Sequence, residues 1–154
     1  MAETDDSAAT LIGLARTAAA RAHAPYSGFS VGCAIEADDG SIATGSNMEN
    51  ACYRLGTCAE ISALTSAQQA FGLDKIRRIA VAGGHIGADG MLVGAQAVTP
   101  CGGCRQAIAE AADLADHDIE VISASGDGTT VSTTTIGALL PASFGPKNLE
   151  DADG

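Results

Sequence analysis

The sequence predicts an α/β domain, a three-layer α/β/α sandwich around a mixed five-stranded sheet. Three observations carry that expectation. Short apolar runs suited to buried strands alternate with longer stretches of helical period from residue 58 onward. Before them, Asp38-Asp39-Gly40 parts two short runs in the manner of a hairpin, which adds antiparallel pairing to a parallel arrangement. Hydrophobic residues make up 46% of the 154 positions while aromatics reach only 3%, so the core must be built from Ala, Val, Ile and Leu. That length suits one catalytic domain spanning 1–154, with 1–6 a flexible acidic N-terminus and 147–154 a tail.

Each element has its own signal. Ser7 or Thr10 caps a first helix whose stripe, Leu11, Leu14, Ala15 and Ala18, runs to about Ala22. Pro25-Tyr26-Ser27-Gly28 stops it. Phe29 to Ala37 and Ser41 to Gly45 form the hairpin, and Ser46 to Thr57 is a polar connection without a period. Ile61, Leu64 and Ala67 mark a second helix from Cys58 to about Phe71, ended by Gly72. Arg78 to Gly83 is a strand buried on both faces. A Gly-rich loop precedes a third helix, Cys101 to Leu114. Ile119 to Ala124 is another buried strand, Asp127-Gly128 turns into Thr129 to Thr134, and Ile136 to Leu140 makes a last helical turn before Pro141. Two β-α-β connections then bring the starts of the second and third helices side by side, beyond the C-terminal ends of parallel strands, where open α/β sheets bind ligands.

Charge narrows the partners. Asp and Glu outnumber Lys and Arg 19 to 8, a net charge of −11, which repels phosphate backbones and anionic lipid. Neither a polynucleotide nor a membrane partner is expected, and no run approaches the eighteen or so apolar residues of a membrane span. Met1 to Asp6 is acidic where an export signal is basic, and the five cysteines are an odd number, so a reduced, cytoplasmic protein is expected.

The chemistry lies in Cys58-Ala59-Glu60 and Pro100-Cys101-Gly102-Gly103-Cys104. Three thiolates at two helix starts suit one zinc ion, and three protein ligands leave a fourth tetrahedral position open, as catalytic sites do. Unpaired amides and the positive dipole end of a helix favour the thiolate form. Glu60, two residues past the lone cysteine, faces the metal's open position without binding the metal, a signature of zinc nucleobase deaminases. Three thiolates overcompensate a divalent cation, so a nearby cation should offset them, and Arg54 and Arg105 are the candidates. A bare C-x-x-C also suits a thiol-disulfide oxidoreductase or half of a structural, non-catalytic zinc site. The former needs no third cysteine in a Cys-x-Glu context, and the latter normally has a fourth Cys or His ligand. His23, His85 and His117 show no ligand spacing; Cys33 reads as core and Cys52 as a loop residue.

Beyond the zinc motif, four blocks recur in order along nearly the whole chain: Pro25 to Gly32, Asn47 to Tyr53, Cys58-Ala59-Glu60 with Pro100 to Gln106, and Leu139 to Pro146. In these the chain resembles the small homotetrameric zinc-dependent cytidine deaminases. The resemblance implies hydrolytic deamination of cytidine or deoxycytidine in pyrimidine salvage, with one Zn2+ per subunit held by Cys58, Cys101 and Cys104 and with Glu60 as acid and base. It implies that Asn47 and Glu49 bond the ribose hydroxyls, that Phe29 packs on base and ribose, and that the Ala59 amide holds the base. Tyr53 and Phe144 would complete a neighbouring subunit's site. Many members carry Arg directly after the catalytic Glu, whereas this chain has Ile61. A related branch acting on blasticidin S has an aliphatic residue there, which keeps a nucleoside-analogue deaminase as the alternative.

Overall fold

Small side chains set the architecture. In the computed structural model, which describes residues 5–150, a mixed sheet lies between one helix on one face and two on the other. The elements are α1 (Asp6–Ala19), β1 (Ser30–Ala37), β2 (Ile42–Ser46), α2 (Ala59–Ala70), β3 (Ile76–Ile86), β4 (Leu92–Val93), α3 (Gly102–Ala115), β5 (Glu120–Ser125), β6 (Val131–Thr135), α4 (Ile136–Leu139) and α5 (Lys147–Glu150). The strand order is β2-β1-β3-β5-β6, with β3 and β5 parallel and the other neighbours antiparallel.

Alternation along each strand sorts the core into two halves. Ala34, Ala80, Ala82, Ile122 and Ala124 face α1 through Leu11, Ile12, Ala15 and Ala19. Cys33, Ile35, Ile79, Val81 and Val121 face the other way, against Ala63 and Ala67 of α2 and Ile108 and Ala111 of α3. Gly32 and Gly45 let the helices come close. A methyl group at Gly32 would collide with the backbone of Ala15 and Ala19, and one at Gly45 with the backbone of Ala63. This is how a core almost without aromatics reaches close packing.

The connections position the site. Both β2 and β3 run antiparallel to β1, so they are parallel to each other with β1 between them. The α2 crossover therefore passes over β1, while α3 joins the adjacent parallel strands β3 and β5. Both helices lie on one face with their starts at the same end of the sheet.

Several expectations are corrected. The sheet has six strands rather than five, because β3 runs past Gly83 to Ile86 and its end pairs with Leu92 and Val93. A two-residue strand inside a Gly-rich loop has too few positions to show alternation. The cap of α1 is Asp5, which accepts the Ser7 N–H, rather than Ser7 or Thr10. Thr10 instead bonds back to the Asp6 carbonyl. Asp5 and Asp6, expected in a flexible N-terminus, thus cap and open a helix, while residues 1–4 and 151–154 of the expected termini lie outside the described residues. The helix ends at Ala19 instead of Ala22, since His23 pairs with Met48 and donates its N–H to the Asn47 carbonyl at 3.1 Å. Met48 also pairs with Thr57, and Tyr53–Leu55 form a 3-10 turn, so the polar connection of 46–57 is an ordered wall rather than a plain loop. The final strand starts at Val131, because Asp127 holds the Thr129 N–H in the preceding turn at 2.9 Å.

Candidate metal centre and active site

The two crossovers place Cys58 and Cys101 at the same structural position, the N-cap of α2 and the N-cap of α3. Neither side chain makes a cap hydrogen bond to its own helix, and the two sulfurs meet each other instead. Cys104 lies in the first turn of α3 and is buried. The Sγ atoms of Cys58, Cys101 and Cys104 all lie within 4.8 Å of one another, with Cys58 and Cys101 4.0 Å apart. Tetrahedral zinc–sulfur bonds of about 2.3 Å separate the sulfurs by about 3.8 Å, so the three thiols fit a zinc ion after a small inward movement.

Electrostatics point the same way. Burial pushes the Cys104 thiol far above its ordinary value, and the neighbouring Glu60 carboxylate adds to this. Burial likewise raises Cys58. The Cys104 backbone N–H, near its sulfur in the first turn of α3, holds Cys101 lower. Three thiols are thus crowded together beside a carboxylate, and a divalent cation is the species that would let the thiols ionise.

Glu60, in the first turn of α2, is only 5% exposed and receives no hydrogen bond from the described residues. It opens onto a cavity of about 580 Å³ that Ala59, Cys58, Cys101, Asn47, Glu49 and Tyr53 also line. That volume falls in the range of small-molecule sites. Asn47 uses both ends of its amide on the backbone, accepting from the Val31 N–H at 2.8 Å and donating to the Phe29 carbonyl at 3.0 Å. One Glu49 oxygen accepts from the Tyr26 and Ser27 N–H groups at 3.0 and 3.1 Å. Hydrogen bonding, from the Ser27 hydroxyl first, holds this carboxyl below its usual range.

Four candidates stand elsewhere. Phe29 is not in the cavity lining; its ring meets His85 edge-on at 5.5 Å and covers Gly83 beside Val31 and Val98. Phe144 is 60% exposed and also outside the lining, tethered through its carbonyl by Gln106 Nε2 at 2.8 Å. Neither Arg54 nor Arg105 donates to a cysteine sulfur: Arg54 is exposed on the 3-10 turn, and Arg105 is committed to the Pro100 and Leu139 carbonyls. Tyr53 does line the cavity, 78% exposed and edge-on to Tyr26 at 5.7 Å. Sequence reasoning missed Tyr26, Met48, Val31, Val98 and Thr99 in the lining. Tyr26, Val31 and Met48 carried a signal, standing inside the recurring blocks 25–32 and 47–53, whereas Val98 and Thr99 stand outside every block.

Residues 5–115 match the family model described as the cytidine and deoxycytidylate deaminase zinc-binding region. The chain is 34% identical over 142 residues to the cytidine deaminase of Sporosarcina psychrophila, covering 92% of this chain and 94% of that one. It is 36% identical over 130 residues to that of Halalkalibacterium halodurans, covering 84% and 88%. The crystal structure of cytidine deaminase from Burkholderia pseudomallei matches with a TM-score of 0.73 at 38% identity, over 88% of this chain and 97% of that one. The Mycobacterium tuberculosis cytidine deaminase structure matches at 0.66 and 32%, over 88% and 95%. A zinc-fitting thiol triad with a buried carboxylate beside it, carried on this fold, agrees with those matches: the chain belongs to the family of the cytidine and deoxycytidylate deaminase zinc-binding region.

Proposed function

We propose that this protein, acting as one catalytic domain over 1–154, hydrolyses cytidine and deoxycytidine to uridine and deoxyuridine with release of ammonia. The observation that carries this reading is the buried Glu60 carboxylate, unpartnered within the described residues, in the same cavity as two of the three clustered thiols. When bound at Cys58, Cys101 and Cys104, zinc supplies the Lewis acidity that makes water a nucleophile near neutral pH. Glu60 removes a proton from the attacking water and delivers it to N3 of the base as the oxygen bonds to C4. It then passes the second water proton to the exocyclic amine as the C4–N bond breaks, serving as base and then acid. The walls of Tyr26, Val31 and Val98 exclude water around the base, Ala59 offers its first-turn N–H, and the Glu49 carboxylate receives a ribose hydroxyl. Asn47 acts by holding Phe29 and Val31 in place and by facing the ribose.

Tyr53 and Phe144, both exposed, are the residues through which neighbouring copies close each other's sites in a homotetramer. Three thiols that must stay reduced suit the cytoplasm, and the reaction suits pyrimidine salvage. No helix among the described residues is long and apolar enough to cross a membrane. Ile61, half-buried against the core, puts no cation beside the thiols and keeps blasticidin S as a substrate to be compared.

Zinc analysis of the purified protein, together with an ultraviolet assay on cytidine, deoxycytidine and blasticidin S, tests the proposal. One zinc per chain with turnover of cytidine or deoxycytidine is expected. A zinc-free protein, or one that deaminates only blasticidin S, would overturn it.

A further inference from the structure

Arg105 immediately follows the metal-ligating Cys104, yet its guanidinium is not aimed at sulfur. Nε donates to the Pro100 carbonyl at 2.8 Å and Nη1 to the Leu139 carbonyl at 3.1 Å. The backbone N–H of the same residue donates to the Cys101 carbonyl at 2.9 Å. One residue therefore grips both carbonyls that flank the Cys101 side chain. The far end of its fork is anchored to the last residue of α4, and α4 packs on α3. Cys101 needs such a grip. It is exposed, it caps α3 with backbone alone, and it is preceded by a proline that has no N–H with which to fix the loop. Pro100 itself is buried, so its carbonyl has a defined position to be held in.

Resting on the zinc reading above, we infer that Arg105 is a positioning residue, which fixes the Cys101 ligand by bracing the Pro100 carbonyl against the C-terminal segment at Leu139. It does not act as a counter-charge for the thiolates. Zinc leaves a three-thiolate site by detaching one ligand at a time, and an exposed ligand on a loop detaches first unless the loop is held. The planar fork is essential, because it reaches two carbonyls at once. Lysine keeps the charge but reaches only one.

The test is the rate of zinc release from the holoprotein into excess chelator, followed with a chromogenic zinc indicator, for the parent, Arg105→Ala and Arg105→Lys. Thermal melting of the zinc-free forms is measured alongside. Both variants should release zinc at least about tenfold faster than the parent, and Arg105→Lys should melt close to the parent once zinc is removed. Should Arg105→Ala fail to fold, Arg105→Lys carries the test alone. Release from Arg105→Lys at the parental rate would overturn the inference, leaving charge as the role if Arg105→Ala is fast and no role in retention if it is not. A lysine variant whose zinc-free form melts well below the parent would also overturn it, by showing a general packing role. A parent without zinc would instead overturn the proposed function on which the inference rests.

Discussion

The proposed reaction concentrates its proton transfers on one side chain, Glu60. It is buried, takes no hydrogen bond from the described residues, and shares its cavity with two N-cap thiols. Glu60→Gln keeps the volume and polarity of the side chain but cannot shuttle a proton. The variant should fold and retain zinc while turnover falls on the order of 10²- to 10⁴-fold, the usual worth of a positioned acid–base group. Zinc content and steady-state kinetics on the same preparation check this; activity near the parent's would remove Glu60 from the mechanism. This residue and the three cysteines are legible in the sequence because each belongs to a short motif at a helix start. Phe29 and Arg105 are not, because their partners are chosen by distant chain. His85 takes the Phe29 ring, and the Leu139 carbonyl takes the Arg105 guanidinium.

Two polar devices hold elements together. Arg78 opens the described core of β3 with its side chain buried, bonded through Nε and Nη2 to Glu36 at 3.1 and 2.9 Å and through Nη2 to the Ser7 hydroxyl. It ties β1, β3 and the first turn of α1, with Asp5 and Glu120 at 3.8 and 3.9 Å. Arg78→Ala would leave Glu36 half-buried with only the exposed Arg77 at 3.5 Å. The expected loss is about 3 kcal/mol, a fall in melting temperature of about 6–12 °C for a domain of this size. Differential scanning calorimetry checks it, and an unchanged melt would show that the ion pair contributes nothing.

The turn between β5 and β6 hangs on Asp127, which accepts from the Ser125 hydroxyl at 2.6 Å, the Thr129 N–H at 2.9 Å and the Thr129 hydroxyl at 2.7 Å. These bonds, the Ser125 hydroxyl first, lower its pKa to about 2. The folded value lies below the unfolded value of about 3.9, so the carboxylate stabilises the fold above that pH and the contribution fades as pH falls towards 2. Asp127→Asn should be less stable than the parent near neutrality, and the difference should shrink from about pH 4 downward, as read by urea melts at stepped pH. A difference independent of pH would refute the charge argument. The Asp127-Gly128 turn is visible in sequence; the delayed start of β6 is not, because it depends on one carboxylate capturing both the Ser125 and Thr129 hydroxyls along with the Thr129 N–H.

At the scale of the molecule, a single chain leaves several large apolar side chains exposed, three of them in the cavity lining. Tyr26, Met48, Tyr53 and Leu55 are 50%, 57%, 78% and 61% exposed on one side, and Phe144 is 60% exposed elsewhere. A chain with net charge −11 repels its own copies unless such uncharged contacts draw them together. Light scattering should give four times the chain mass of 15.3 kDa. Tyr53→Ala should raise KM for nucleoside and weaken assembly, and a fully active monomer would show that one chain closes its own site.

The three-layer architecture, the thiol triad and the carboxylate beside it were determined by the sequence, since apolar period, turn residues and short motifs all act within a few residues of chain. Crossover geometry then brings Cys58 to Cys101 with little freedom left. What only the tertiary structure decided are the contacts where several distant groups compete for one partner. The edge-on seat of Phe29, the pairing of Met48 with both His23 and Thr57, the sixth strand at the end of β3 and the grip of Arg105 on two carbonyls are all of this kind. Each buried or half-buried polar group must find a partner. Which partner it finds depends on where the whole chain has already folded.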